Sequence, residues 1–144
     1  MKQDRHLIQG PLEPGFIQER VRDCSSMTDA GAVSLFLGQV RADNSQQGKT
    51  AAIEYSAYEE MAEKAVDEIK GVLINKFDEL VLLEIWHSTG LVETGQISLL
   101  VIAASAHRQQ AFEALKECVE MIKEKLPVWK KEMYSDGSHQ WTNS

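Results

Sequence analysis

The sequence predicts an α+β fold in which helices pack against a largely antiparallel sheet. Strand-like segments occur in adjacent pairs with helical segments inserted between them, whereas a doubly wound fold would alternate strand and helix strictly. The chain has 144 residues, of which 43% are hydrophobic and 26% charged. This size and composition are typical of one globular domain, so we expect residues 1–144 to form a single domain.

The first pair of strands is predicted on either side of a polar loop. Residues 31–40 (GAVSLFLGQV) and 50–58 (TAAIEYSAY) are rich in β-branched and aromatic side chains, and residues 41–49 between them are polar. We therefore expect these two strands to pair as a long hairpin. Upstream, residues 6–9 suit a short strand, and Pro14 suits the first turn of a helix.

Two longer segments carry the periodicity of amphipathic helices. In residues 59–77 and 108–125, apolar side chains recur every three or four positions, and charged residues fill the other positions. Pro127 ends the second helix because the residue before a proline avoids helical geometry. Between the helices, residues 80–89 and 97–105 are apolar runs of strand length, separated by a turn that contains two glycines. Residues 128–134 suit a closing strand.

Charge and hydropathy exclude several classes of function. The net charge is -7 and the pI is about 5.1, which argues against nucleic acid as a partner because that contact requires a basic surface. No stretch approaches the roughly 20 apolar residues of a membrane span, and no apolar signal region follows the N-terminus. We therefore expect a cytoplasmic protein with no membrane contact.

The cysteines and glycines give no sign of a bound metal or cofactor. Cys24 and Cys118 are far apart and no CxxC pair is present, so we expect reduced thiols with neither a disulfide nor a zinc site. The sequence also lacks the glycine-rich motifs GxGxxG and GxxxxGK[ST] that bind dinucleotides and nucleotide phosphates. We therefore expect no cofactor, no metal and no catalytic thiol.

The first candidate site lies where the second strand pair ends and the second long helix begins. Residues 105–108 read Ser-Ala-His-Arg. Free N–H groups at a helix N-terminus favour an anion, and Arg108 could clamp a phosphate beside His107. The alternative is ordinary helix capping by Ser105 or its neighbour, with His107 packed nearby.

The second candidate site is a group of lysines on both sides of Pro127. A turn at this proline would bring Lys123 and Lys130 together, and two ammonium groups in one partly buried pocket make the loss of one proton easier. The alternative is a solvated helix end, where cations are favourable anyway. A third candidate, Arg41, emerges from a strand into the polar loop, although a lone arginine in a loop is usually only solvated.

Several motifs in order resemble the molybdopterin synthase large-subunit family. The resemblance runs from about residue 31 to residue 141, and the succession of SAHR, a helix and then KxxxPxWK is specific. The family fold is an α/β hammerhead-like arrangement, which agrees with the α+β prediction. The matching segments are GAVSLFLGQVR at 31–41, IEYSAYEEMAEKA at 53–65, HSTGLVETG at 87–95, SAHRQQAFEA at 105–114 and KEKLPVWKKE at 123–132.

The resemblance implies an activity and partners. It implies conversion of cyclic pyranopterin monophosphate into molybdopterin, which carries a dithiolene. The sulfur would come from a small ubiquitin-like subunit whose C-terminal Gly-Gly thiocarboxylate enters a pocket of the large subunit. The resemblance further implies a heterotetramer, in which a dimer of large subunits is flanked by two small subunits. Residues from both large subunits would then be available to each pocket.

The resemblance also assigns roles to single residues. It implies that Lys123 and Lys130 are the active-site lysines, with Lys123 the stronger candidate for proton transfer or covalent catalysis and Lys130 orienting the thiocarboxylate tail. It implies that Arg41, His107 and Arg108 bind the phosphate or the pterin edge of the substrate. Two alternatives stay open: a non-catalytic scaffold that binds a ubiquitin-like tail, and an anion-binding hydrolase of phosphoesters.

Overall fold

The computed structural model describes residue 3 and residues 5–142 of the chain. The helices are α1 (Pro14–Asp23), α2 (Glu59–Lys76) and α3 (Arg108–Lys125). The strands are β1 (Leu7–Gln9), β2 (Ala32–Gln39), β3 (Asn44–Ser45), β4 (Gly48–Ala57), β5 (Leu80–Glu93), β6 (Ile97–Ser105), β7 (Val128–Tyr134) and β8 (His139–Thr142).

The strands form one mixed sheet with helices against it. Its order is β2-β6-β5-β4-β7-β8, and each of these neighbouring pairs is antiparallel. The short β1 pairs with β5 in parallel, and β3 pairs with β4. The predicted α+β class with a largely antiparallel sheet is therefore confirmed.

The core lies on both faces of the sheet. Because alternate side chains of a strand point to opposite faces, Val101 and Ala103 of β6 pack with α2 and α3, whereas Leu100 and Ile102 pack in a second cluster with residues of α1. All four side chains are fully buried. This burial on both faces explains why β6 is a continuous apolar run rather than an alternating one.

The predicted hairpin between the first two strands is wrong. β2 pairs with β6 along its whole length, and β4 pairs with β5 and β7 instead. The turn between β5 and β6 lies between β2 and β4. The Gly95 amide donates a hydrogen bond to the Val40 carbonyl at 2.8 Å, and the Thr94 amide donates one to the Ala51 carbonyl at 3.0 Å. The polar loop of residues 41–49 therefore crosses the end of the β5–β6 hairpin. The short strand β3 lies within this loop.

The strand predicted to end at Thr89 continues to Glu93 as β5. Gly90 was expected to mark a turn, but it lies inside β5 with a φ of 82°. Residues 87–89 of β5 pair with β1, and residues 90–93 pair with β4. The left-handed conformation at Gly90 accompanies this change of partner, and the turn itself lies at Gly95.

The remaining elements agree with the sequence except at the C-terminal end. α3 has the predicted bounds, α2 ends one residue early at Lys76, and α1 begins at the predicted Pro14. The strand β8 was not predicted. It folds back onto β7 through a turn in which Gly137 has a φ of 89°.

Candidate active site

A cavity of about 400 Å³ opens where the ends of β2, β4 and β7 meet the C-terminal end of α3. Its wall combines cationic, acidic and neutral polar groups with apolar side chains. The residues on which its chemistry depends are Arg41, Tyr55, His87, Lys123, Lys130 and Glu132.

The sequence around Pro127 brings two lysines to this cavity. Lys123 lies in the last turn of α3, and Leu126 leaves the helix in an extended conformation with ψ of 120°. β7 begins at Val128, so Lys130 is its third residue and pairs in register with Tyr55 of β4. The structure therefore places Lys123 and Lys130 on one cavity, as the proline turn suggested.

The two lysines differ in their surroundings. Lys123 is exposed at the rim, whereas Lys130 is half-buried. Burial lowers the pKa of Lys130 below its usual value, the charge of Lys123 lowers it further, and Glu132 opposes both effects. Lys130 thus holds its proton less firmly than an ordinary lysine. The resemblance implied Lys123 as the stronger candidate for proton transfer, and the lowered pKa makes Lys130 a second candidate for that role.

The floor of the cavity is built from neutral polar side chains. The Tyr55 hydroxyl donates a hydrogen bond to Ser98 Oγ at 3.0 Å, and burial raises its pKa. The ring of Tyr55 stands edge-on to that of His87, with 5.2 Å between the centroids. Burial lowers the pKa of His87 to about 4, so its imidazole is neutral near pH 7.

The sequence reasoning missed Tyr55 and His87 as cavity residues. Both lie inside predicted strands, where an aromatic ring or a single histidine is usually part of the core. The available signal was the position of His87 within the motif HSTGLVETG. A histidine between apolar runs is unusual, but its spacing alone does not show that it faces a cavity.

The rim of the cavity pairs cations with acids. Arg41 follows β2, and its Nε lies 2.5 Å from Asp43 Oδ1, with 84% of the arginine side chain exposed. Glu132 of β7 accepts a hydrogen bond from the Thr50 hydroxyl. The two lysines and Arg41 therefore supply positive charge for an anionic ligand. Asp43 and Glu132 offset part of that charge.

His107 and Arg108 do not line this cavity in the same copy of the chain. They lie at the N-terminal end of α3, roughly 22 Å along the helix axis from Lys123. His107 Nδ1 is 3.2 Å from Glu79 Oε1, and both His107 and Arg108 are exposed. No side chain caps α3, so the alternative of ordinary side-chain capping is wrong.

The other residues weighed in the sequence have structural surroundings. Lys131 lies over the ring of Trp141, with 5.7 Å from Nζ to the centroid. Trp86 packs edge-on against Phe16 at 5.0 Å. Cys24 and Cys118 are free and buried, and burial raises the pKa of Cys118 to about 12. Such a thiol stays protonated and unreactive near pH 7.

In residue 3 and residues 5–142, no helix is both long and apolar enough to span a membrane. Within the same residues, no group of three or more histidine, cysteine, aspartate or glutamate side chains is arranged to hold a metal ion.

Comparison with known proteins identifies the family of this chain. The family model described as "MoaE protein" matches residues 8–125. The chain belongs to the MoaE family. It is 39% identical over 115 residues to the molybdopterin synthase catalytic subunit of Dictyostelium discoideum, which covers 78% of this chain and 72% of that protein. It is 37% identical over 121 residues to that of Pyrococcus abyssi, covering 84% and 80%.

Solved structures agree with the sequence relatives. Molybdopterin synthase from Staphylococcus aureus superimposes with a TM-score of 0.86 at 30% identity, and the match covers 100% of both chains. A complex of subunits 1 and 2 of molybdopterin-converting factor from Helicobacter pylori superimposes with a TM-score of 0.79, covering 96% of this chain and 90% of that one. At 21% identity the second match shows the shared fold. The family predicted from the motifs is confirmed.

Proposed function

We propose that this chain is the catalytic subunit of a molybdopterin synthase. In this proposal it transfers sulfur from a thiocarboxylated small subunit to cyclic pyranopterin monophosphate and so forms the dithiolene of molybdopterin. The proposal rests on the cavity that Lys123 and Lys130 both line. It is supported by the relatives of the chain, which are molybdopterin synthase catalytic subunits.

The cavity has groups for each part of this chemistry. Each transfer forms a bond between the thiocarboxylate sulfur and a substrate carbon as a bond from that carbon to oxygen breaks. Water then breaks the acyl–sulfur bond, which leaves the sulfur on the substrate and a carboxylate on the small subunit. Lys130, with its lowered pKa, serves as the proton acceptor for that water. Lys123, at the rim, donates a hydrogen bond to the negative oxygen that develops on the acyl carbon and so stabilises it. Arg41 binds the phosphate of the substrate.

No cysteine of the chain needs to react in this scheme. Sulfur arrives on the small subunit, and the buried thiol of Cys118 is held protonated by its surroundings. The free thiols of Cys24 and Cys118 also fit the proposed cytoplasmic location, because a reducing compartment keeps cysteines in this form.

The proposed partners follow from the same cavity. A small ubiquitin-like subunit would insert its C-terminal Gly-Gly thiocarboxylate between the two lysines. The Helicobacter pylori neighbour is a complex of two kinds of subunit, which supports such an arrangement. We further propose a dimer of this chain within a heterotetramer, so that His107 and Arg108 of one copy reach the cavity of the other.

The test of the catalytic proposal is product formation from cyclic pyranopterin monophosphate and thiocarboxylated small subunit. We expect Lys123→Ala and Lys130→Ala each to lower turnover by at least about 100-fold, the usual contribution of a positioned proton-transfer or charge-stabilising group. Lys125→Ala is the matched control, because Lys125 is an exposed lysine of the same helical turn and does not line the cavity.

Three outcomes separate the alternatives. Turnover by the unaltered chain that is lost in both cavity variants supports the sulfur transferase. Binding of the small subunit without turnover, by a folded chain, supports the non-catalytic scaffold. Hydrolysis of a phosphoester in the absence of any protein partner supports the hydrolase.

A further inference from the structure

Lys130 has an acidic neighbour that does not pair with it. Lys130 and Glu132 are two residues apart on β7, so their side chains point to the same face of the sheet, with about 7 Å between the Cα atoms. Both residues line the cavity. None of the ion pairs formed by the described residues includes Lys130. The carboxylate therefore lies close to the lysine without neutralising it.

The carboxylate of Glu132 is held by a threonine on the far side from Lys130. The Thr50 hydroxyl donates a hydrogen bond to Oε2 of Glu132, and Thr50 is only 3% exposed. Thr50 of β4 pairs in register with Tyr134, whereas Lys130 pairs with Tyr55. Glu132 lies between Lys130 and Tyr134 along β7. The hydrogen bond to Thr50 therefore draws the carboxylate towards Tyr134 and away from Lys130.

The backbone of Thr50 is anchored independently of its hydroxyl. Its amide donates a hydrogen bond to the Asp43 carbonyl at 2.9 Å, and its carbonyl accepts one from the Thr94 hydroxyl at 2.9 Å. Valine is β-branched like threonine and suits a strand. Thr50→Val therefore removes the hydrogen bond to Glu132 and leaves the main-chain contacts in place.

Glu132 is the acid of the cavity that can reach Lys130. The other acid, Asp43, is paired with Arg41. Burial keeps Tyr55 and His87 neutral near pH 7, because it raises the pKa of the first and lowers that of the second to about 4. The ionisable groups that share the cavity with Lys130 are Glu132 on its own strand, Lys123 from α3, Arg41 and Asp43 from the segment after β2, Tyr55 from β4 and His87 from β5.

We propose that Thr50 is a positioning residue that holds Glu132 apart from Lys130 and so leaves the Lys130 amino group without an ion pair. Once the hydroxyl is removed, the carboxylate turns towards Lys130 and pairs with it. An ion pair favours the charged form of the lysine, which then gives up its proton less readily. The consequence for proton transfer rests on the proposed function, whereas the placement of Glu132 does not.

The first test is the pKa of Lys130, measured by nuclear magnetic resonance from the side-chain Cε and Nζ signals and assigned with Lys130→Arg. In Thr50→Val we expect this pKa to rise by about one unit, because an opposite charge moves into direct contact with the ammonium group. Thr50→Ser keeps the hydroxyl and should keep the pKa of the unaltered protein. A folded Thr50→Val protein with an unchanged or lowered Lys130 pKa overturns the proposal.

The second test asks whether the effect passes through Glu132. Glu132→Gln removes the negative charge, so adding Thr50→Val to this variant should leave the pKa of Lys130 unchanged. Comparing the single and double variants isolates the interaction between the two positions. An equal rise of the pKa with and without the Glu132 carboxylate contradicts the proposed role of Thr50.

Thr89→Val is the matched control. Thr89 is also buried, its hydroxyl lies 3.3 Å from Gln9 Oε1, and it does not line the cavity. We expect this variant to lower stability and to leave the pKa of Lys130 unchanged. If it raises that pKa as much as Thr50→Val does, the effect belongs to any lost buried hydroxyl and the proposal fails.

A crystal structure of Thr50→Val gives a direct answer. We expect an oxygen of Glu132 within about 4 Å of Lys130 Nζ, which is the distance of an ion pair. A carboxylate that keeps its place beside residue 50 shows that the hydroxyl is not what separates the two groups.

Turnover separates this inference from the proposed function. If the unaltered chain makes no product with a thiocarboxylated partner, the proposed function fails, and the pKa measurements still decide the placement of Glu132. If it makes product, Thr50→Val should lower kcat about tenfold near pH 7 and move the rise of kcat about one pH unit higher, with little change in KM, because the neutral amine then appears at higher pH. Product formation with an unshifted Lys130 pKa in Thr50→Val refutes the positioning role alone.

Discussion

The distance between the two ends of α3 predicts that two inactive variants will restore each other. Arg108 lies roughly 22 Å along the helix axis from Lys123, and an arginine side chain reaches only about 7 Å from its Cα. One copy of the chain therefore cannot bring both groups to the same cavity. If Arg108 acts in catalysis, it acts in the cavity of a second copy.

The perturbation is a mixture of Lys123→Ala and Arg108→Ala chains, each inactive alone. After random exchange in a dimer, about half of the dimers are mixed, and each mixed dimer has one cavity with both groups intact. The mixture should therefore show about a quarter of the activity of the unaltered protein.

The assay is product formation after the two chains have been unfolded and refolded together, with separately refolded chains as the control. Lys123→Ala mixed with Lys130→Ala should behave in the opposite way, because both lysines belong to the cavity of one copy. That mixture also regains about a quarter of the activity only if the two lysines act in different copies. A lack of recovery in the Arg108 mixture, with dimers present, refutes the shared cavity.

Three other predictions follow from single features. Gly90→Ala should lower the free energy of unfolding by about 1–2 kcal/mol in urea titration, because alanine is strained at a φ of 82°; Gly71→Ala, in open space on α2, should be neutral or stabilising, and equal effects would contradict the reasoning. Cys118 should resist alkylation at pH 8 in the folded protein and react after denaturation, because its pKa is about 12; rapid labelling of the native protein would disprove its burial. Lys123→Ala should raise the pKa of Lys130, because it removes a neighbouring positive charge; a pKa that stays or falls in resonance titration would show that the two ammonium groups do not interact.

The helices could be predicted because their signals are local. α3 has the predicted bounds, since an apolar stripe defines its length and Pro127 ends it. The same proline turn predicted that Lys123 and Lys130 would meet. A short stretch of chain contains all the information that these two conclusions require.

The pairing of β5 with β6 could be predicted from the turn between them, but the partners of β2 and β4 could not. β2 and β4 are neighbours in sequence and have the composition of a hairpin, yet each pairs with a partner that a pattern of apolar residues does not identify. The change of partner at Gly90 is also invisible in the sequence, because a glycine between two apolar runs usually marks a turn. Tertiary packing decides both features.

The floor of the cavity escaped prediction for a related reason. Tyr55 and His87 belong to different strands and meet only because β4 and β5 are adjacent beyond Gly90. From the sequence alone, each is indistinguishable from a core residue. The resemblance to the family named five site residues, but it did not separate Arg41, Lys123 and Lys130, which line the cavity of one copy, from His107 and Arg108, which do not.

The length of α3 imposes a constraint on any redesign of the protein. Its buried face, formed by Ala111, Ala114, Cys118 and Ile122, holds the helix on the sheet. Deleting one residue between Arg108 and Lys123 would turn one end of the helix by about 100° relative to the other and shorten it by about 1.5 Å. Either the packed face or one functional end would then leave its place, so α3 acts as a fixed spacer that tolerates substitution on its exposed side but no change in residue number.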